Sequence, residues 1–222
     1  MVGARELATL HPRLFLITPA SYEVEAFLPA LEDALSGGDV ATLLIAGNGL
    51  EENALQRIAT RVVPLAQKSD VAVLIENSTR VAGRVHADGV HCTARIEDVK
   101  LAVESFSPKL IVGAGAIFSR HEAMELAETG IDYVFFGRID REETPEAHRK
   151  TLDFSTWWAD LFEVPCVALA GTEMTSVRDC AATGADFVAV RDAVWQHPQG
   201  PAAAVREANA ILEGFELREA ED

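Results

Sequence analysis

The stretch Gly130-Ile131-Asp132-Tyr133-Val134-Phe135-Phe136-Gly137 returns as Gly184-Ala185-Asp186-Phe187-Val188-Ala189-Val190-Arg191, and in shorter form as Ala87-Asp88-Gly89-Val90-His91. Each copy has a small residue, an Asp, and a short apolar run that ends in Gly or a polar residue. The two longer copies follow helix-like segments, His121–Thr129 and Val177–Thr183. A Gly directly after a helix supplies the left-handed residue that ends it. The apolar run reads as a strand buried on both faces, as parallel strands are. A repeated helix–Gly–x–Asp–strand unit belongs to an α/β protein. The Asp residues read as strand starters at the solvated rim, since the chemistry of such folds sits at the opposite strand ends.

Outward from these copies the same alternation continues. Apolar runs at Arg13–Thr18, Val40–Ala46, Val71–Ile75, Asp88–His91, Leu110–Ala114, Asp132–Phe136, Pro165–Ala170 and Asp186–Val190 give eight strands. Helical spacing is found at Tyr22–Ser36, Glu51–Gln67, Ser78–Val85, Ile96–Phe106, Phe154–Phe162 and Pro201–Phe215. Pro64 is expected to kink or shorten the second helix. Ser119-Arg120-His121-Glu122 has the form of a capping box opening a further helix. The sequence predicts one (β/α)8 TIM barrel across residues 1–222, the barrel proper at about 13–215 and an acidic tail at Glu216–Asp222. Two small domains are the other solution for this length. A doubly wound sheet would carry a Gly-rich turn after the first strand, and Thr18-Pro19-Ala20 is not one. One segment breaks the rhythm: Arg138–Asp153, about sixteen charged residues where two to six are usual, is either a lid or disordered.

Composition narrows the partners. The 222 residues are 49% hydrophobic, enough for a sizeable core, and carry a formal net charge of −16, which argues against nucleic acid and anionic membrane. No run approaches the ~20 apolar residues of a membrane helix. The first residues lack the apolar stretch of a signal peptide. Cys92, Cys166 and Cys180 have neither metal-type nor redox spacing and read as reduced, packed thiols of a cytoplasmic protein. Nothing in the sequence decides between a monomer and a homodimer.

In such a barrel the site is built from the C-terminal strand ends. Those ends offer Thr18, Asn48, Glu76, Asn77, His91, Gly115, Arg138, Gly171, Thr172, Arg191 and Asp192. Phosphate commonly sits after the seventh and eighth strands on backbone N–H groups. Gly171 and Thr172 are expected to offer such groups, with more from 191–193. Arg191 either grips phosphate bidentately or pairs with Asp192 or a neighbouring acid. Glu76 reads as a base, a metal ligand or a helix-start carboxylate. His91 reads as a packed, hydrogen-bonded core residue. Thr18, Asn48, His91 and Gly115 line the pocket; Glu76, Asn77 and Arg138 are the catalytic candidates. No nucleophile signature and no clustered metal spacing is present.

From Ser36 to Ala193 the chain resembles the thiamine phosphate synthase family and its relative, the thiazole tautomerase. The motifs are Ala87-Asp-Gly-Val-His91, then Glu122-Ala123…Ala127…Gly130-Ile-Asp-Tyr-Val134…Gly137, then Pro165…Ala168…Gly171…Gly184-Ala-Asp186…Ala189-Val190…Ala193. The resemblance implies a (β/α)8 barrel and a small phosphorylated ligand. It also implies a reaction joining an aminopyrimidine, carried as its pyrophosphate ester, to thiazole phosphate, with Mg²⁺ assisting pyrophosphate departure. The family's Gln-x-Arg-x-Lys on the second strand falls, counted from Gly37-Gly38, on Leu43, Ile45 and Gly47. Its Asn-Asp after the third strand is Glu76-Asn77, so an Asn stands at the Mg²⁺ Asp and Glu76 is the remaining metal candidate. The second metal Asp has no aligned acid, Glu97 and Asp98 being displaced. The Ser closing the fifth strand is Gly115. The Thr-x-Thr-Lys stretch is the charged loop, with Lys150 a loose counterpart, and the tautomerase His is Arg138. These departures leave two readings open, an enzyme of this family or a phosphate-binding barrel without pyrophosphate chemistry. A third, a different phosphate-binding barrel such as an epimerase, fits the fold and not the motifs.

Overall fold

A computed structural model describes residues 11–93 and 95–215. The signal-peptide reading of the first ten residues and the acidic tail lie outside them. Eight parallel strands close into a barrel in chain order, a single (β/α)8 TIM barrel. They are β1 (Arg13–Ile17), β2 (Thr42–Ile45), β3 (Ala72–Glu76), β4 (Gly89–Cys92), β5 (Ile111–Ala114), β6 (Tyr133–Phe136), β7 (Cys166–Leu169) and β8 (Phe187–Val190). The helices are α1 (Val24–Ser36), α2 (Glu52–Gln67), α3 (Thr79–Val85), α4 (Ile96–Phe106), α5 (Arg120–Ala127), α6 (Arg149–Ala159), α7 (Met174–Ala181), the short α8 (Asp192–Trp195) and α9 (Pro201–Leu212). The ring closes where Leu14 of β1 pairs with Val188 of β8.

Alternation along each strand builds two apolar layers. Leu14, Leu16, Leu43, Ile45, Val73 and Ile75 face the helices and pack with residues such as Leu31 and Val62. Phe15, Ile17, Leu44, Leu74, Phe135 and Val167 fill the barrel interior. On β2, therefore, Leu43 and Ile45 point away from any ligand. The inward positions are Thr42, Leu44 and Ala46, and none of them is a cation.

The repeated Asp does more than begin a strand. Asp88 accepts from Val73 N–H at 2.7 Å, Asp132 from Val112 N–H at 2.7 Å, and Asp186 from Cys166 N–H at 2.8 Å. Each carboxylate at the foot of an even strand satisfies a backbone donor of the odd strand before it. Gly130 and Gly184 take the expected left-handed φ, +86° and +83°. Ser119 caps α5 through Glu122 N–H at 3.1 Å, while the Glu122 carboxylate reaches Phe118 N–H at 2.7 Å.

Helix α2 ends at Gln67 as its periodicity predicts, and Pro64 inside it does not shorten it. Helix α6 begins at Arg149, so the predicted loop ends earlier and Arg149–Asp153 are helical. His148 caps this helix through its Nδ1, and Trp158 Nε1–H is satisfied by Val164 O at 2.7 Å. Cys92, Cys166 and Cys180 are buried and unbridged. No helix among the described residues is long and apolar enough to cross a membrane.

Candidate functional site at the C-terminal mouth of the barrel

The loop from Arg138 to His148 lies over the C-terminal ends of β6, β7 and β8. Its carbonyls meet the donors expected to hold an anion. Thr172 N–H donates to Thr144 O at 2.9 Å and Glu173 N–H to Pro145 O at 3.1 Å. Gly171 N–H is taken by Ser176 Oγ at 2.9 Å. Asp192 N–H donates to Glu143 Oε2 at 3.2 Å. Arg191 is 2% exposed. Its guanidinium donates to Ile139 O at 2.7 Å and Arg141 O at 2.9 Å. Its Nε lies 2.8 Å from Glu143 Oε1 and 3.8 Å from Asp192 Oδ1. Of the two readings of Arg191, the acid pairing is the one present, but inside the protein rather than on the rim. The Nε–H points off the carboxylate axis, and among the described residues neither Arg191 Nε nor Glu143 Oε1 has a well-aligned hydrogen-bond partner. Burial raises the Glu143 carboxyl above its ordinary range, more than Arg191 lowers it.

The second group surrounds the barrel mouth. Glu76, at the end of β3, accepts from Gly47 N–H through Oε2 at 2.6 Å and from Thr93 Oγ through Oε1 at 3.3 Å. Asn77 clips the ends of β3 and β4, donating to Thr93 Oγ at 2.5 Å and accepting from Thr93 N–H at 2.7 Å. Thr18 is buried and accepts from Ala46 N–H at 3.1 Å. Asn48 donates to Pro19 O at 3.2 Å. Arg138 folds back onto Asp140, with Nε to Oδ1 at 2.6 Å, and over the Phe118 ring at 4.9 Å.

His91 is fully buried, with Nδ1 2.8 Å from Tyr133 Oη. Burial pushes its pKa down to about 3 and holds the Tyr133 hydroxyl well above its usual range. Both groups are thus neutral at neutral pH. Nε2 has no hydrogen-bond partner among the described residues, and a Cβ added at Gly115 would lie 2.7 Å from it. A Cβ at Gly113 would lie 1.9 Å from Tyr133 Cζ. Gly113 of β5 and Gly115 just past its end make room for the two rings, which is why Gly115 is small.

Three cavities open here. One of 740 Å³ is lined by Gly47, Asn48, Glu76, Asn77, Arg141 and Asp192 among others. One of 380 Å³ lies under the loop between Phe118, Phe136, Lys150, Phe154 and Gly171. One of 250 Å³ sits at the barrel axis between Glu76, His91, Phe135 and Arg138. The family resemblance implies Mg²⁺. Among the described residues no three His, Cys, Asp or Glu side chains come together as a metal cluster. The Glu76 oxygens are held by an N–H and a hydroxyl, and Asp140 is held by Arg138. Mg²⁺ is usually held by one or two carboxylates together with waters and substrate phosphates, and Glu76, whose oxygens keep further lone pairs, is the carboxylate here that would hold it.

At the one mouth the fold thus gathers Gly171, Thr172, Arg191 and Asp192 on the side of β7 and β8, Glu76, Asn77, His91, Gly115 and Arg138 on the side of β3 to β6, and Thr18 and Asn48 beside β2, with Glu76, Asn77, Arg191 and Asp192 lining one cavity. Sequence reasoning missed Glu143, which meets Asp192 from 49 positions away, and Tyr133, which meets His91 from 42. The only signal for the latter was Gly113 and Gly115 two residues apart at the end of the fifth apolar run; for Glu143 there was none beyond the charge of its segment.

The chain is similar over most of its length to proteins of one family. The family model described as thiamine monophosphate synthase matches residues 14–194. The thiamine-phosphate synthase of Rhodospirillum centenum is 38% identical over 204 residues, 91% of this chain and 98% of that protein. That of Hyphomonas neptunium is 39% identical over 209 residues, covering 91% and 95%. Among solved structures, thiamine phosphate pyrophosphorylase from Pyrococcus furiosus superposes with a TM-score of 0.76 at 25% identity, covering 91% of this chain and 96% of that one. A 3-hexulose-6-phosphate synthase, at 17% identity and a TM-score of 0.69, shares the fold.

Proposed function

Because the chain belongs to the thiamine monophosphate synthase family, we propose that its barrel mouth binds a small phosphate ester of the thiazole phosphate or thiamine phosphate class. In this reading the protein acts as a thiamine-phosphate-synthase-like transferase of the cytoplasm. The carrying observation is the convergence of Thr172, Glu173 and Asp192 N–H groups with the Arg191 guanidinium at the ends of β7 and β8. Oriented N–H groups and a guanidinium favour an anionic oxygen. Capture rests on this local geometry because the chain as a whole carries −16 and repels anions.

In the reaction of the family, the aminopyrimidine carbon forms its bond to the thiazole nitrogen as the bond to pyrophosphate breaks. Glu76, Asn77 and Arg138 border the cavities where the aminopyrimidine would sit. A second reading, a phosphate-binding barrel without pyrophosphate transfer, is favoured by one observation. The inward face of β2 offers Thr42, Leu44 and Ala46 and no side chain that stabilises a leaving pyrophosphate. Electrostatic stabilisation of that kind is often the largest catalytic contribution. Calorimetric titration with thiazole phosphate, thiamine phosphate and aminopyrimidine pyrophosphate, with and without Mg²⁺, tests the binding class. A steady-state assay of pyrophosphate release divides the readings: we expect turnover well below about 1 s⁻¹, the low end of ordinary enzymes. A rate at or above that value refutes the second reading.

A further inference from the structure

The loop covering β7 and β8 fills the anion seat with oxygens of its own. The Glu143 carboxylate stands at Asp192 N–H and Arg191, and the Thr144 and Pro145 carbonyls stand at Thr172 and Glu173 N–H. The fit is close. A Cβ at Gly171 would lie 2.3 Å from Thr144 O and 2.4 Å from Pro145 O. The absence of a side chain at Gly171 therefore serves this backbone as it would serve a ligand. A phosphate placed on these donors would overlap the loop, so the two occupants exclude each other.

Resting on the phosphate-ester reading above, we infer that the Arg138–His148 loop is an autoinhibitory latch, with Glu143 the internal competitor that a ligand's phosphate must expel. The contact is built to be displaced. Glu143 and Arg191 side chains are 4% and 3% exposed, so both ions lose their hydration, yet the Nε–H and Oε1 that face each other make no aligned hydrogen bond. A buried ion pair without full hydrogen bonding repays its desolvation poorly. A phosphate brings up to two negative charges and three acceptor oxygens to the same donors, which form shorter and stronger charge-assisted bonds. Two further guanidinium donors, now on Ile139 O and Arg141 O, become free for it once the loop lifts. Glu142 and Glu146 of the same loop border the seat beside Gly171, so a lifted loop also takes negative charge away from it.

A ligand that binds only the open state sees its affinity reduced by the open fraction. Glu143→Gln keeps the shape and removes the charge, and so raises the open fraction. We expect it to tighten thiazole phosphate and inorganic phosphate in calorimetry by about 5–150-fold, the ordinary span of coupling between exclusive states. A second measurement on the unmodified protein reads the loop itself. Saturating thiazole phosphate should accelerate tryptic cleavage after Arg141, followed by mass spectrometry, whereas a ligand that binds beside a closed loop would slow it. Binding of equal strength by parent and Glu143→Gln, with cleavage after Arg141 unchanged or slowed, overturns the latch and leaves the phosphate site standing. No binding of either probe by either protein overturns both.

Discussion

Acid should destabilise this protein through one histidine. His91 is fully buried and titrates at about 3 in the fold, against about 6.5 when free. The unfolded chain therefore takes up a proton that the folded chain refuses. The stability this imidazole confers is fully present above pH 6.5 and is lost as pH falls towards 3. Between pH 8 and pH 5 the loss is about 2 kcal/mol, from RT ln[(1 + 10^1.5)/(1 + 10^−2)] with those two pKa values. Carboxylates titrate too: Glu143 and Asp186 are raised by burial, Asp39 and Asp140 lowered by their arginines. Their combined effect is removed by comparison with His91→Gln, which cannot titrate and retains a polar group beside Tyr133. Urea melts of both proteins at pH 8 and pH 5 give four stabilities. The parent should lose about 2 kcal/mol more than the variant across that interval, whatever the variant's stability at pH 8. Parallel losses in the two proteins, or an imidazole NMR titration that places His91 near 6.5, would refute the reasoning.

Asp186→Ala strips the acceptor from Cys166 N–H; an unsatisfied donor there should lower stability by about 1–3 kcal/mol in urea melts. Calorimetry should show phosphate-ester affinity unchanged by the same substitution, because the contact sits at the opposite end of the barrel from the site. Arg191→Ala leaves Glu143 buried without its cation, and we expect a loss of about 3–5 kcal/mol, not the ~1 kcal/mol or less of a surface pair. A melt within 1 kcal/mol of the parent would mean that the loop leaves Arg191 readily even without ligand.

The barrel was legible in the residues because its signals are local. Gly130 and Gly184 end helices through a backbone conformation that glycine alone adopts freely, Ser119 is followed by Glu122 at capping distance, and each apolar run is long enough to cross the core. Helix α6 began earlier than its apolar residues suggested because Arg149, Lys150 and Asp153 form a solvated first turn with no periodic signal. The direction each side chain faces was a different matter. Leu43 and Leu44 are alike in sequence, and only hydrogen-bond register between β1, β2 and β3 decides which enters the barrel. The site depended still more on closure of the ring. Whether Arg191 meets a ligand, Asp192 or Glu143 is settled by where the loop after β6 crosses the ends of β7 and β8. The pairing of His91 with Tyr133 is settled by two strands that approach only after β5, with Gly113 in it and Gly115 just past it, has been laid between them. Spacing along the chain carries no trace of such contacts, because the energy that selects them, burial of charge and complementarity of shape, exists only once distant segments share the same dry interior.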